Sequence, residues 1–248
     1  MSGFTLKLIA LLCMIIDHAG LVLLSGTSLY LPCRIIGRIA FPIYAFLITE
    51  GYIYTSNVKK YAGRLLLFAF LSEIPFDYAF FGTWCYIGYQ NVFFTLALGL
   101  AALACIDMAG LKDPSKTPRV HAGMIYDEYA EWDFQKKKRT RDIAWILLVL
   151  IMAAAEFGCT DYGAFGIIMI MIFYIFREQK TKCILIAAIA LVLDSIAGGF
   201  TIEFFGALSL IFIWFYNGRK GRYPVPSILF YAAYPLHLLL FGFIARGI

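Results

Sequence analysis

The chain has 248 residues, of which 62% are hydrophobic and 15% are charged, and it carries a formal net charge of +5 at pH 7. Its mean hydropathy is +0.79. These values lie far outside the range of soluble globular proteins, so they exclude that class and predict a polytopic membrane protein.

Nine apolar runs between polar breaks are candidate membrane spans, because a spanning helix needs about 20 mostly apolar residues. In chain order they cover residues 4–24, 35–54, 64–81, 92–111, 143–157, 163–176, 183–197, 203–216 and 226–245. Several later runs are short, and short helices can be buried among others or paired as re-entrant segments, so the pattern fits eight to ten spans. The expected fold is an all-α transmembrane helix bundle that forms a single domain over residues 1–248. We expect no cleavable signal peptide, since the first run continues past the length of one.

The positions of lysine and arginine predict a cytoplasmic N-terminus, since cytoplasmic loops carry most basic residues. In that orientation all but three of the 21 basic residues fall on the cytoplasmic side, and the exceptions are Arg34, Arg38 and Arg246. Residues 112–142 are predicted to form a cytoplasmic loop insert, either a solvated basic anchor or a docking surface for a partner or for lipid headgroups. The positive charge is therefore a topology signal and predicts no nucleic-acid partner.

Ten ionisable residues fall in the outer half of the predicted spans or at their outer edge. They are Asp17, His18, Arg34, Arg38, Glu73, Asp77, Glu156, Asp161, Asp194 and Glu203. A charged side chain at bilayer depth costs at least ~2.5 to 3.5 kcal/mol, and it is retained where it faces a bundle interior or a wet cavity. The clustering of both signs of charge therefore predicts a shared polar chamber.

Three prolines lie close to these residues, at Pro42, Pro75 and Pro235. A proline inside a helix frees the carbonyl four residues before it, and a free carbonyl at membrane depth needs a partner. Three helices broken in this way are expected to form cavity walls, although membrane helices also tolerate proline without any functional role. Pro235 precedes His237 by two residues, which adds that histidine to the candidates.

Side-chain spacing adds detail to the chamber. Arg34 and Arg38 are four residues apart, as are Glu73 and Asp77, so each pair shares one helical face. The simplest arrangement places the arginine face opposite the carboxylate face, either to bind substrate or only as structural ion pairs.

Asp17 and His18 are neighbours in the sequence and point about 100° apart around a helix, so we expect no bond between them. Asp17 continues the small-residue stripe of Ala10 and Cys13, which predicts a contact between helices. His18 is then free to face the chamber.

Six segments spread along the chain form a recognisable set. In order, they read LIALLCMIIDHAGLVL, IGRIAFPIYAFLITEGY, SEIPFDYAF, NVFFTLALG, DYGAFGI and YAAYPLHL. Together they resemble the TraX family, whose founding members are described as acetylating the N-terminus of conjugative pilin, and the likeness runs along nearly the whole chain outside residues 112–142. The family is similar to a wider group of transmembrane acyltransferases, which take acyl groups from cytoplasmic acyl-CoA and deliver them across the membrane with an intramembrane histidine.

The resemblance implies an acetyl-CoA-dependent acetyltransferase of the bacterial inner membrane, with His18 as base or as transient acyl carrier. The catalytic candidates are His18, Arg38 and Asp17. The substrate-binding candidates are Arg34, Glu73, Asp77, Asn91, Asp161, Tyr162 and His237. The candidates for binding the phosphates of acetyl-CoA are Lys59, Lys60, Arg64, Arg219, Lys220 and Arg222. The preference of basic residues for cytoplasmic loops alone would also explain their positions.

The acceptor stays open between an amine and a hydroxyl, on a peptide or a glycan. We expect no metal, because the cysteines show no metal-binding spacing. Membrane lipids are the other expected partners. One alternative function is a transporter or channel for a charged small molecule, since the same chamber would serve as a permeation path. Another is a structural or assembly protein.

Overall fold

The computed structural model describes residues 1–110, 126–199, 201–221, 226 and 228–247. Within these ranges the chain is helical apart from turns and one isolated bridge between Gln90 and Thr160. A 3-10 helix covers Ile202–Leu208. The α-helices are α1 Gly3–Val22, α2 Tyr30–Gly37, α3 Ala40–Tyr54, α4 Val58–Phe81, α5 Val92–Met108, α6 Tyr126–Phe157, α7 Gly163–Ile175, α8 Lys180–Ala197, α9 Ser209–Trp214 and α10 Ile228–Arg246.

The predicted all-α architecture is confirmed, and a membrane location fits the helices. Among the described residues three stretches are long and apolar enough to cross a membrane: Gly3–Val22, Tyr30–Tyr54 and Ile228–Arg246. Shorter apolar helices cover Val92–Met108, Gly163–Ile175 and Ile202–Trp214. The count of nine spans and the cytoplasmic N-terminus stay predictions. The predicted insert 112–142 lies partly outside the described residues, and its second part belongs to α6.

Helices α1 and α2 form a tight pair because two glycines lie at their contact. A Cβ atom at Gly20 would lie 2.5 Å from the Cβ atom of Cys33, and a Cβ atom at Gly37 would overlap the Asp17 carboxylate. Asp17 is 6% exposed and faces this contact. The helix contact predicted for Asp17 is therefore confirmed.

The prolines affect their helices differently from the prediction. Pro42 lies in the first turn of α3. Arg38 and Ile39 keep right-handed helical backbone angles, but the regular α-helical hydrogen bonds are interrupted there, because the proline nitrogen cannot donate to the Arg38 carbonyl. Pro75 and Pro235 lie inside α4 and α10, which continue through them. The predicted breaks at those two prolines are wrong, because a helix can accommodate the loss of one hydrogen bond by bending.

The core of the bundle contains a large apolar cluster to which α1, α3, α4, α5, α7, α8, α9 and α10 contribute, and a smaller cluster that joins α6 to α5 and α7. Two loops meet at one end of it, where the Gln90 N–H donates to the Cys159 carbonyl and the Asp161 N–H donates to the Gln90 carbonyl, both at 2.9 Å. This short ladder fixes Asp161 between α6 and α7.

Candidate active site

A cavity of about 1120 Å³ opens at the end of the bundle where these loops meet. Helices α1, α2, α3, α4 and α10 and the loop after α6 contribute to its walls. Eight of the ten ionisable residues predicted to share a chamber line this cavity: Asp17, His18, Arg34, Arg38, Glu156, Asp161, Asp194 and Glu203. Eight ionisable side chains of both signs in one cavity need water or a polar ligand inside that cavity to solvate them.

Two histidines from opposite ends of the chain meet at the cavity wall. His18 Nδ1 lies 2.7 Å from His237 Nε2, and the two rings are stacked with centroids 5.0 Å apart. The edges of Phe80 and Tyr234 enclose the His18 ring, with centroids 5.3 and 5.7 Å away. His18 is half-buried and His237 is 8% exposed. Helices α1 and α10 thus hold both imidazoles in fixed orientations.

The hydrogen bonds define which nitrogen of each histidine carries the proton. His237 Nδ1 lies 2.6 Å from the Ala233 carbonyl, which can only accept, so Nδ1 carries the proton. Nε2 of a neutral His237 then accepts, and His18 Nδ1–H is the donor. His18 Nε2 is left with a free lone pair, and no described residue donates to it. The backbone of α10 therefore sets the tautomer of His18 through His237.

Two arginines share the carboxylate of Asp17 beside the histidines. Arg34 Nη1 donates to Asp17 Oδ2 at 2.6 Å, and Arg38 Nη2 donates to both oxygens at 2.9 and 3.1 Å. Arg38 Nη1 also donates to Glu203 Oε1 at 2.6 Å, and its Nε donates to the Arg34 carbonyl at 3.3 Å. The arginines pair with Asp17 and Glu203, so the prediction that they face Glu73 and Asp77 is wrong.

The two arginines differ in what they can offer a ligand. Each nitrogen of the Arg38 guanidinium already donates to a protein oxygen, and the side chain is 9% exposed. Arg34 uses Nη1 for Asp17, and its Nε and Nη2 have no hydrogen-bond partner among the described residues. Its side chain is 18% exposed and lines the cavity. Arg34 is therefore the arginine with donors available to a bound molecule.

Glu73 and Asn91 bind each other at the start of α5. The Asn91 side-chain amide and the Asn91 N–H both donate to Glu73 Oε1, and Asn91 Oδ1 caps the helix by accepting from the Phe93 N–H at 3.0 Å. Asp77 accepts from the Tyr86 N–H at 2.7 Å. None of these three candidates lines the cavity, and their contacts stabilise the loop between α4 and α5.

Asp161 and Tyr162 also line the cavity. Tyr89 Oη–H donates to Asp161 Oδ1 at 2.9 Å. Burial raises the pKa of the Asp161 carboxyl to about 6, and the Tyr89 hydrogen bond partly opposes this shift. Tyr162 has φ +64° and stacks on Phe41 with centroids 3.6 Å apart. A tyrosine held in this left-handed conformation is typical of functional sites, where surrounding packing supports the strain.

A smaller pocket of about 80 Å³ lies beside the cavity and leads toward Lys7. Met14, Tyr44, Val92 and Tyr234 line both spaces, so they form the partition between them. The Lys7 ammonium lies 5.3 Å from the Phe230 ring centroid at the start of α10.

The basic candidates for phosphate binding lie at the Lys7 end of the bundle. The carbonyls of Arg219 and Lys220 accept from the N–H groups of Gly3 and Phe4. Lys59, Lys60 and Arg64 lie in the first two turns of α4. Arg222 lies outside the described residues.

Sequence reasoning missed several residues of the site. Tyr89 and Lys7 carry no motif, whereas Tyr234 belongs to the segment YAAYPLHL and precedes His237 by three residues. In the described ranges no three His, Cys, Asp or Glu side chains are placed to hold a metal ion. The cavity contains an imidazole at His18, a guanidinium with free donors at Arg34 and several carboxylates.

Comparisons with known proteins agree along almost the whole chain. The family model described as TraX protein matches residues 2–116 and 129–245. A relative named "Probable fimbrial assembly protein FimC, serogroup H1", from Dichelobacter nodosus, is 29% identical over 265 residues, which cover 96% of this chain and 93% of the relative. No solved structure matches the chain. With two family segments that together leave out only the two ends and residues 117–128, the chain belongs to the TraX family.

Proposed function

We propose that the protein is a membrane-embedded acyltransferase that moves an acetyl group from cytoplasmic acetyl-CoA to an amine or hydroxyl acceptor. The observation that carries the proposal is the histidine pair: His18 lines the cavity, its Nδ1 lies 2.7 Å from His237 Nε2, and its Nε2 has no hydrogen-bond partner among the described residues. A neutral imidazole of fixed tautomer is the group that general base catalysis requires near neutral pH. We place this enzyme in the bacterial inner membrane as a multi-pass protein with a cytoplasmic N-terminus.

The reaction follows from the positions of His18 and Arg34. The acceptor attacks the thioester carbonyl while His18 Nε2 removes its proton, and the carbonyl oxygen takes the negative charge. The free N–H groups of Arg34 donate to that oxygen. The carbon–sulfur bond then breaks, the proton on His18 passes to the departing thiolate, and free CoA and the acetylated acceptor leave. Asp17 and Arg38 hold Arg34 in place.

The donor route runs from the Lys7 end of the bundle to the histidines. Lys7 and Lys220 come from segments that meet there, since the Phe4 N–H donates to the Lys220 carbonyl at 3.0 Å. With Arg64 on α4 they form a basic end suited to the phosphates of CoA. We place the thioester arm in the smaller pocket, which must widen to take it, and the arm then reaches His18 once the partition at Tyr44 and Tyr234 opens. Lys59, Lys60 and Arg219 add to the same positive field.

The acceptor enters from the large cavity. Its volume admits a peptide end or a sugar, and the carboxylates of Glu156, Asp161 and Asp194 favour a group with a positive charge. The name of the Dichelobacter nodosus relative refers to fimbrial assembly. A pilin-like peptide with an N-terminal amine therefore fits the cavity and the family, and a hydroxyl acceptor uses the same base.

The test combines binding and turnover in purified protein. Acetyl-CoA is expected to raise the Tm of the wild type and of His18→Ala alike, because His18 lies outside the smaller pocket. Transfer of labelled acetyl to an acceptor peptide is expected to fall by ~10² to 10⁴ in His18→Ala. Label that accumulates on His18 without acceptor would assign it the carrier role. Transport of a charged small molecule into liposomes, with no effect of acetyl-CoA on Tm, would support the transporter instead.

A further inference from the structure

Arg246 lies at the mouth of the large cavity in an arrangement that the proposed reaction does not use. It is the last residue of α10, it is exposed, and it lines the same cavity as His18. Lys7 lies near Phe230 at the other end of α10, so two cations mark opposite ends of one helix. The predicted topology makes Arg246 an exception, because basic residues are rare on the outer side.

The Arg246 guanidinium is held by an aromatic stack and a carbonyl. Its Cζ atom lies 4.3 Å from the ring centroid of Tyr78, which stacks on Trp84 at 4.2 Å with an interplanar angle of 11°. Arg246 Nη1 donates to the Gly242 carbonyl at 3.1 Å. Cation–π contact with a buried ring fixes the plane of the guanidinium without neutralising its charge.

Two glycines make this arrangement possible. A Cβ atom at Gly82, which has φ +75°, would lie 3.0 Å from Arg246 Nη2. A Cβ atom at Gly242 would lie 2.6 Å from Tyr78 Cδ1. Side chains at either position would displace the ring or the guanidinium, so the backbone on both sides is shaped around them.

The charge of Arg246 has no counter-ion among the described residues. The other cavity arginines, Arg34 and Arg38, are ion-paired with Asp17. A basic residue in the last turn also favours the helix dipole, but that interaction needs no aromatic stack. Nε and Nη2 of Arg246 remain as two adjacent donors, the geometry that binds two oxygens of one phosphate group.

We propose that Arg246 on the Tyr78–Trp84 stack is an anion-binding site that takes a phosphate group at the cavity mouth. The phosphate belongs either to the molecule that enters the cavity or to the headgroup of an anionic lipid at its rim. In the first case it anchors an acceptor whose other end reaches His18, and this role rests on the proposed function. Phosphate binding at Arg246 does not depend on the proposed function, so it is measured without any transfer reaction.

The experiment compares two sources of phosphate. In neutral detergent, pyrophosphate is titrated against the Tm of the wild type, Arg246→Gln and Arg246→Lys. In nanodiscs, Tm is compared between pure phosphatidylcholine and mixtures with phosphatidylglycerol. The matched control is Lys180→Gln, which removes another exposed cation that lies 5.1 Å from an aromatic centroid, that of Trp214.

An Arg246-dependent response to pyrophosphate supports a soluble ligand, and one to phosphatidylglycerol supports a lipid. In either case we expect Arg246→Gln to weaken binding about ten- to hundredfold, Arg246→Lys to be intermediate, and Lys180→Gln to match the wild type. Equal responses of wild type and Arg246→Gln to both ligands would overturn the site. None of these measurements involves acetyl-CoA, so that result would leave the proposed acyltransferase function unaffected. Conversely, a wild-type protein that transfers no acetyl group would leave the proposed anion site unaffected.

Discussion

Gly37 on α2 lies directly against the carboxylate of Asp17 on α1, with no room for even a methyl group between them. This contact lets Asp17 reach both Arg34, which lies in α2, and Arg38, which directly follows α2. The absence of a side chain at one position therefore supports a charge network that borders the proposed base.

The first prediction concerns this contact. We expect Gly37→Ala to destabilise the protein by about 1 to 3 kcal/mol, because overpacking would push the Asp17 carboxylate away from its arginines. Gly63→Ala is the matched control, since a Cβ atom at Gly63 would meet nothing and alanine favours a helix by about 0.5 to 1 kcal/mol. Thermal unfolding in detergent checks both variants. An equal or higher Tm for Gly37→Ala would show that the two helices can separate without cost.

The second prediction separates the roles of the two arginines. Arg38→Lys is expected to lower stability, because an ammonium cannot make the guanidinium's contacts to Asp17 and Glu203, each worth about 1.5 to 3 kcal/mol. Arg34→Lys is expected to keep the fold while acetyl transfer falls by ~10²-fold, the order lost with one oxyanion donor. Melting curves and initial rates on both variants distinguish these outcomes. The assignment fails if Arg34→Lys transfers acetyl groups as fast as the wild type.

Composition and the spacing of apolar runs were sufficient to predict helices, a membrane location and a polar chamber at one end. They could do so because the residue type and its place within an apolar run, both of which the sequence gives, show where a charge must find a polar surrounding. The interruption of the α-helical hydrogen bonds before α3 was also within reach of the sequence, since Pro42 frees the Arg38 carbonyl.

The partners within the chamber could not be predicted in the same way. Arg38 pairs with Glu203, 165 residues away, and His18 pairs with His237, 219 residues away. Such pairs depend on which helices pack side by side, and helical periodicity gives only the face on which a residue lies. Glu73 and Asp77 met every sequence criterion for the chamber, yet they stabilise a neighbouring loop.

The third prediction concerns pH and Asp161. Burial raises the pKa of this carboxyl from 3.8 to about 6. Between these values the folded protein binds a proton that the unfolded chain releases, so Asp161 lowers stability as pH rises from about 4 to about 6. We expect Asp161→Asn to remove this part of the pH dependence and to raise Tm most at pH 7. The control is Glu178→Gln, whose side chain is 76% exposed in the native protein. Parallel Tm curves for wild type and Asp161→Asn between pH 4 and 7 would contradict the prediction.

The last prediction concerns His237, which positions His18 and does not touch the reacting atoms. His237→Phe removes the acceptor for His18 Nδ1–H, so His18 can adopt the other tautomer and lose the free lone pair at Nε2. We expect kcat to fall by about 10- to 100-fold, as for other residues that orient a functional imidazole, with little change in the KM for acetyl-CoA. His237→Gln is expected to recover part of the rate, because the glutamine oxygen can accept the same hydrogen bond.

Two further variants distinguish positioning from a general effect on the fold. In the double variant His18→Ala with His237→Phe, the second change is expected to cost nothing more, because both residues act through one hydrogen bond. Leu236→Ala is the matched control on the adjacent position of α10, where the side chain is 63% exposed. If the two losses multiply, or if His237→Phe raises the KM for acetyl-CoA and leaves kcat unchanged, then His237 contacts substrate and the tautomer of His18 is held by something else.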